Sequence, residues 1–404
     1  MKLQHPAFTY IIVIISSLTV CPFPSFAQEK SDKELSKEDK KEQRAAKKQK
    51  KLDSGKIMIS PVAGPGYTPE MGLLIGGGAL VSWRTDKSDL ELQRSNMPVM
   101  LSYSTKGALS LNLRPSTFWM GDKLRINGNF WFKDMSDNYW GVGYETNNET
   151  EQSKDITEFN RKWVQFKIEG LRRVAAKLYA GLNFDLNYTK GSEETSWILS
   201  SPYYTFYNER PFNMGLGAIF RYDSRDLAAN AWSGMYINGE MTQYGKYFGG
   251  DNTYTLLLLD YRQYTRINNK DGRILAWQVS TRNTFGDVPY AELSQLGNPF
   301  DLRGYPWGKY RNKGMAYAVL EYRHDFKKKT GGFSRHGAVL WLGSGMIYDT
   351  DNDPLIDHSG KNKVLPNAGI GYRFELQPRM NLRLDFGVGR NGVNGFYFNI
   401  NEAF

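Results

Sequence analysis

The stretch Met380-Asn-Leu-Arg-Leu-Asp-Phe-Gly-Val-Gly389 decides the fold. In an extended chain successive side chains point to opposite sides. Met380, Leu382, Leu384, Phe386 and Val388 therefore share one face, and Asn381, Arg383, Asp385, Gly387 and Gly389 share the other. Bulky apolar groups backed by charges suit lipid on one side and water or polar packing on the other. The same period recurs upstream. Ile370, Tyr372 and Phe374 oppose Gly371, Arg373 and Glu375; Leu182, Phe184, Leu186 and Tyr188 oppose Asn183, Asp185 and Asn187; Val164, Phe166 and Ile168 oppose Gln165, Lys167 and Glu169. A soluble sandwich also alternates, but with its polar face outward. Export, strand length and the absence of cysteine after residue 21 favour a membrane barrel.

Counted backward from Phe404, the pattern predicts strands over 395–404, 379–390, 364–375, 335–349, 312–326, 271–286, 253–267, 234–246, 212–224, 176–190, 161–174, 122–134, 107–121, 97–105 and 70–85. A bacterial single-chain barrel has an even strand count and no open edge, so the short run Lys56–Ser60 supplies a sixteenth. Fourteen strands is the alternative, if two of these are loop. The expectation is an all-β chain: a transmembrane antiparallel β-barrel of about 16 strands, with one loop folded inward. The connections Tyr139–Asn160 and Gly191–Arg210 are long and polar, which suits the extracellular side; Asn268–Gly272 suits a periplasmic turn.

The start of the chain sets the compartment. Lys2, an apolar run from Phe8 to Val20 and the small-x-small site Ser25-Phe-Ala27 make residues 1–27 a secretory signal peptide. Val20 is too bulky for a lipoprotein signal at Cys21, and the run is short and followed by Pro22 and Pro24, against an uncleaved anchor. Cys21 is the only cysteine, so the mature chain carries no disulfide and no thiolate metal site. Roughly 375 residues remain, more than one ordinary soluble core holds. Yet the mean hydropathy is −0.54 and no second apolar run is long enough for a membrane helix. Middling hydropathy with abundant Tyr, Trp, Phe, Gly and Asn is the composition of a membrane barrel.

Residues 28–55 form a charged tether with no apolar stripe, read as solvated, with docking to a periplasmic partner or to anionic headgroups as the alternative. Eleven basic and seven acidic residues between Gln28 and Lys56 contribute +4 of the net +10. That charge is not read as a nucleic-acid signal, since an exported chain rarely meets any. The barrel then occupies 56–404.

Against this alternation the segment Asn298-Pro-Phe-Asp-Leu-Arg-Gly-Tyr-Pro-Trp-Gly-Lys-Tyr310 stands out. It is too rich in Gly, Pro and aromatics for a regular element. Its centre is Leu302, Arg303, Gly304 and Tyr305. Three further features accompany it: Tyr222, Asp223, Arg225 and Asp226 followed by Gly234; Pro61–Gly72 ahead of the second strand; and a final strand with Phe396, Phe398, Ile400 and Phe404. Together, over residues 56 to the C-terminus, they resemble the bacterial surface antigen family, the BamA/TamA-like outer-membrane superfamily.

The resemblance implies a site in the bacterial outer membrane and an arginine loop folded into the lumen as a plug. It also implies acidic partners for Arg303 on the strands that follow. Glu321, on the polar face of Val319-Leu-Glu-Tyr-Arg323, is the first such partner. The family's second acid precedes a glycine on the next strand. Gly343 stands there, so the lock on Arg303 is single, or Asp385 or Asp349 substitutes. A forked guanidinium suits such a lock where lysine does not. The terminal aromatics resemble the signal by which the barrel-assembly machinery recognises clients, so that machinery and outer-membrane lipid are expected partners.

Functionally the resemblance implies an insertase or translocation barrel, opening between first and last strands, for proteins or lipids. The family's periplasmic POTRA repeats have no counterpart ahead of this barrel, which suggests an accessory role. The alternatives are a plugged pore or structural barrel without insertase activity and, more weakly, a surface adhesin or receptor acting through the long loops. Asp223, Arg225 and Asp226 read as lumen salt bridges rather than an acid–base set. His5, His324, His336 and His358 show no metal-ligand spacing, and no nucleophile elbow is present. No enzyme activity, metal or cofactor is expected.

Overall fold

The computed structural model describes residues 55–68, 71–360, 363–377 and 379–404. The expected signal peptide, and the tether up to residue 54, lie outside the described residues.

The strands are β1 (Met58–Thr68), β2 (Gly72–Trp83), β3 (Ser95–Ser104), β4 (Leu109–Leu113), β5 (Ser116–Trp119), β6 (Leu124–Asn138), β7 (Glu158–Ala175), β8 (Leu178–Ser192), β9 (Phe212–Asp223) and β10 (Gly234–Tyr244). They continue as β11 (Tyr254–Arg266), β12 (Arg273–Gly286), β13 (Ser294–Leu296), β14 (Tyr310–Asn312), β15 (Gly314–Lys327), β16 (Phe333–Tyr348), β17 (Leu365–Gln377), β18 (Met380–Gly389) and β19 (Asn394–Ile400). β4 and β5 are two halves of one strand between β3 and β6, interrupted at Arg114-Pro115, because proline has no N–H for the ladder. Counting them once, every neighbour pair is antiparallel, β19 meets β1, and the ring closes at sixteen strands. β13 and β14 form a separate two-stranded hairpin in the β12–β15 connection.

Alternation places the faces. On β16 and β18, Leu340, Leu342, Phe386 and Val388 are exposed, while Val339, Trp341, Arg383 and Asp385 between them are buried. The exposed apolar band faces lipid, and the charged face turns into the barrel. Strict up-and-down order sends the segments 139–157, 193–211, 287–313 and 349–364 to one end, here the loop end. Met58, Ile400 and the turns 120–123, 224–233 and 267–272 lie at the other, the terminal end.

The loop end is closed by a buried cluster of Tyr139, Phe159, Tyr203, Tyr204, Tyr244, Tyr254 and Tyr290. Its rings approach to 4.3 Å between Tyr244 and Tyr254, 4.7 Å between Tyr204 and Tyr290 and 5.1 Å between Tyr139 and Tyr204. Such aromatic pairs add to area burial.

Two strand expectations change. The first strand is not the short run Lys56–Ser60: it extends to Thr68, through prolines and glycines that read as a loop. The last strand does not reach Phe404. It ends at Ile400, and Asn401, at φ +69°, turns the chain so that Glu402, Ala403 and Phe404 are buried. Phe396 and Ile400 are exposed on the outer face, and Phe398 is in register with Tyr67 of β1. Phe404 instead sits beneath the Arg323 guanidinium, 4.9 Å from ring centre, and its carbonyl accepts from Arg323 at 3.0 Å. On the outer face, the next position of the alternation would have held Glu402 in lipid, which is costly. Turned inward, it meets Arg373 at 2.8 Å.

Candidate functional site

The 287–313 connection crosses the barrel interior. The β13–β14 hairpin narrows its base, and the Gly308 N–H donates to the Gly297 carbonyl at 3.1 Å. Asp301 ties the following turn: its carboxylate accepts from the N–H groups of Gly297 at 3.1 Å and Asn298 at 2.9 Å, and from that of Leu302. Burial pushes the Asp301 carboxyl up to about 7, against these donors, which favour its charged form. Burial likewise pushes Glu292, at the same loop's start, up to about 7, opposed by Arg282.

The turn delivers Arg303 into full burial. One guanidinium nitrogen, Nη1, donates to Asp385 Oδ2 at 2.9 Å, and the other, Nη2, donates to Glu321 Oε1. The guanidinium also lies 3.7 Å over the Trp341 ring. Glu321 stands on β15 and Asp385 on β18, so one side chain joins strands that do not neighbour each other. Each carboxylate has a second cation: Arg323 meets Glu321 at 2.8 Å and Arg373 meets Asp385 at 2.6 Å. Glu321 and Asp385 are both wholly buried. Charges this dry are tolerated when paired on several sides.

Thus Arg303 has two acids. Gly343 is not replaced by Asp349, which lies at the loop end and accepts from the N–H groups of Asp351 at 3.3 Å and Asp353 at 2.7 Å. Asp385, two strands beyond Gly343, holds the second position.

The neighbours of Arg303 fix the backbone. Gly304 adopts φ +115°, and a Cβ there would sit 2.9 Å from the Gly387 backbone. A Cβ on Gly387 would collide with the Arg303 carbonyl. The two glycines let the loop lie against β18 without a gap. The Gly304 N–H donates to the Tyr397 hydroxyl at 2.9 Å. The Tyr305 hydroxyl donates to the Pro366 carbonyl at 2.6 Å and accepts from the Arg390 N–H at 2.8 Å. Leu302 is fully buried in the apolar cluster with Leu296 and Trp341.

A contact that the sequence reading missed lies on the opposite wall. Lys133 Nζ is 4.7 Å from the Trp163 ring, 5.0 Å from Trp131 and 5.5 Å from Trp307 of the loop. Lys133 and Trp163 are cross-strand partners. Trp131 and Lys133, two apart, share a face; that spacing was the only sequence signal.

The second predicted motif lies elsewhere. Asp223 and Arg225 pair at 2.8 Å, and Arg225 lies 4.4 Å over Tyr236. Tyr222 is on the outer face of β9, in register with Ile237. Asp226 is not on a strand: it holds the 224–233 turn through the N–H of Trp232 at 3.0 Å and pairs with Arg379 at 2.9 Å. Gly234, at φ +100°, starts β10 where a Cβ would strike the Ser224 carbonyl. None of these residues joins the Arg303 network.

The family profile described as "Omp85 superfamily domain" matches residues 76–404. Among solved structures, the chain is similar to BamA from Haemophilus ducreyi lacking POTRA domains 1–3. That match has a TM-score of 0.60 and 15% identity, over 86% of this chain and 70% of that one. CdiB from Escherichia coli matches at TM-score 0.53 and 10% identity, over 87% and 68%. CdiB from Acinetobacter baumannii matches at 0.50 and 10%, over 86% and 60%, so this chain spans less than two thirds of that protein. No curated protein matches.

Proposed function

The chain belongs to the Omp85 superfamily and is an outer-membrane β-barrel, and from that premise we propose that it assists insertion or translocation of outer-membrane proteins or lipids through the junction of β1 and β19. The observation that carries this reading is the weakness of that junction. β1 pairs with β2 along its whole length, from Met58↔Ser82 to Thr68↔Gly72. With β19 it shares one register pair among the described residues, Tyr67↔Phe398. The other side of β19 is paired from Leu382↔Ile400 to Val388↔Asn394.

The sequence of β1 supports the same edge. Pro61, Pro65 and Tyr67 share parity, so both missing N–H donors fall on one edge of the strand. A proline in a continuous ladder turns its missing donor away from that ladder, here toward β19. An edge with few bonds to lose opens at low cost, and once open its unpaired groups in lipid favour pairing with an incoming strand. The Arg303 loop acts in this reading as a plug that braces β15–β19 while β1 moves. The chemistry needs no catalytic group. The barrel-assembly machinery, reading Phe396, Phe398, Ile400 and Phe404, is the partner for the chain's own insertion, and residues 28–54 supply an arm for a periplasmic partner.

Depletion in cells tests the reading. The outer-membrane protein profile or lipid asymmetry is expected to change; if both stay as in the parent strain, the role in insertion or translocation fails. A structural or plugged barrel is the second reading, favoured by the aromatic cluster that closes the loop end. Normal client insertion in its absence, with no conductance in liposomes, would support it.

A further inference from the structure

We infer that the cavity at the terminal end of the barrel is a binding site for a phosphate-bearing group, anchored by Arg114. The cavity has a volume of about 670 Å³. Its walls carry Arg114, Arg125, Lys167, Arg221 and Arg225 against two carboxylates, Glu169 and Asp223.

Four of these cations are already matched. Arg125 pairs with Asp122 at 2.7 Å, Arg221 with Glu169 at 3.0 Å and Arg225 with Asp223 at 2.8 Å, while Lys167 pairs with Glu240. Arg114 has no side-chain partner among the described residues: only its backbone N–H is engaged, by the Pro98 carbonyl at 3.2 Å. The excess positive charge of the cavity is therefore this one guanidinium.

The backbone delivers it there. Leu109, Leu111 and Leu113 alternate with Ser110, Asn112 and Arg114, and Leu109 and Leu111 are exposed on the outer face, so Arg114 points inward. Pro115 interrupts the strand immediately after it. The ladder resumes in unchanged register, from Leu113↔Phe130 to Ser116↔Asn127, which sets Arg114 opposite Asn129, itself opposite Lys167.

A guanidinium without a carboxylate, in a solvent-filled cavity ringed by cations, attracts an anion from outside. Its planar fork matches phosphate oxygens two at a time. A free phosphate ester and a lipid headgroup offer the same chemistry. This site is separate from the β1–β19 junction, and its fate does not depend on whether that junction opens.

Titration calorimetry of pyrophosphate into the barrel, held in phosphatidylcholine nanodiscs at constant ionic strength, tests the free-anion source. Saturable binding is expected, weakened about tenfold or more in Arg114→Gln and partly restored in Arg114→Lys. The lipid source is tested by ³¹P line broadening of phosphatidylglycerol in nanodiscs without pyrophosphate, expected to fall in Arg114→Gln. Should that variant fail to fold, phenylglyoxal modification of the wild type replaces it. Arg114 is then expected to be protected by pyrophosphate or by phosphatidylglycerol. No saturable effect from either source, or an equal effect in wild type and Arg114→Gln, or equal labelling with and without both, would overturn the assignment.

Discussion

Arg303 and Asp385 are 82 residues apart in sequence and 2.9 Å apart in the barrel, joined by a charge-assisted hydrogen bond that is wholly buried. With Glu321 on the other arm of the fork, Arg303 is the only side chain of the loop that ties β15 to β18 by ion pairs among the described residues. Removing it leaves two dry carboxylates short of a partner. Arg303→Ala is expected to lower stability by about 3–5 kcal/mol and to abolish heat-modifiability at temperatures the wild type resists. Arg303→Lys is expected to fall between, since an ammonium cannot serve both acids in one plane. Normal heat-modifiability in both variants would remove the ion pairs from any role in holding the loop.

The close approach of Gly304 and Gly387 gives an independent handle on the same loop. Gly387→Ala changes no charge, yet its methyl would meet the Arg303 carbonyl. Overpacking of this kind costs about 1–3 kcal/mol. Limited proteolysis within 298–310 is the measurement: faster cleavage in Gly387→Ala is expected, at unchanged barrel content by circular dichroism.

Loop order should depend on pH. An acid raised to about 7 in the folded state holds its proton there, while the unfolded chain has lost it above about 4. Between those values the folded state binds more protons, so stability falls as pH rises. Asp301 and Glu292 both act in this sense. Unfolding midpoints measured from pH 5 to pH 8, a window set by these shifts and on the order of the 4–7 interval, are expected to decline. Asp301→Asn should flatten the decline; an identical slope in wild type and variant would show that this carboxyl does not titrate there.

Phe404 offers a sharp contrast between two placements. On a lipid-facing strand, Phe404→Ala would change little in a purified barrel. Buried beneath Arg323 and beside Tyr264, at 4.9 Å and 6.3 Å, it should cost about 3–5 kcal/mol. The urea midpoint of the purified variant reads this directly, separate from any effect on recognition in the cell.

The barrel was legible in the sequence because a lipid-facing strand must alternate, and each predicted span overlaps an observed strand. The parts that were not legible have particular causes. Pro61, Gly64 and Pro65 read as loop, yet an edge with few hydrogen bonds to lose tolerates them. Glu402 did signal the inward turn, since continued alternation after Ile400 would have placed it in lipid, but the signal was a single residue. Asn401, among the residue types that tolerate a left-handed backbone, makes the turn. The second acid for Arg303 was open between none, Asp385 and Asp349, and the contact of Lys133 with Trp131, Trp163 and Trp307 was missed. Both depend on register and on loop path, which alternation leaves undetermined.

The junction of β1 and β19 is the centre of the functional account, and a covalent lock across it is its most direct test. Tyr67 and Phe398 face each other across the junction, so Tyr67→Cys with Phe398→Cys brings two thiols within disulfide reach. The measurement is insertion of an unfolded outer-membrane protein into liposomes carrying the oxidised or the reduced double variant. The account predicts insertion above protein-free liposomes when reduced, and its loss when oxidised, restored by a reductant. Equal insertion in both states, above the protein-free rate, would contradict it.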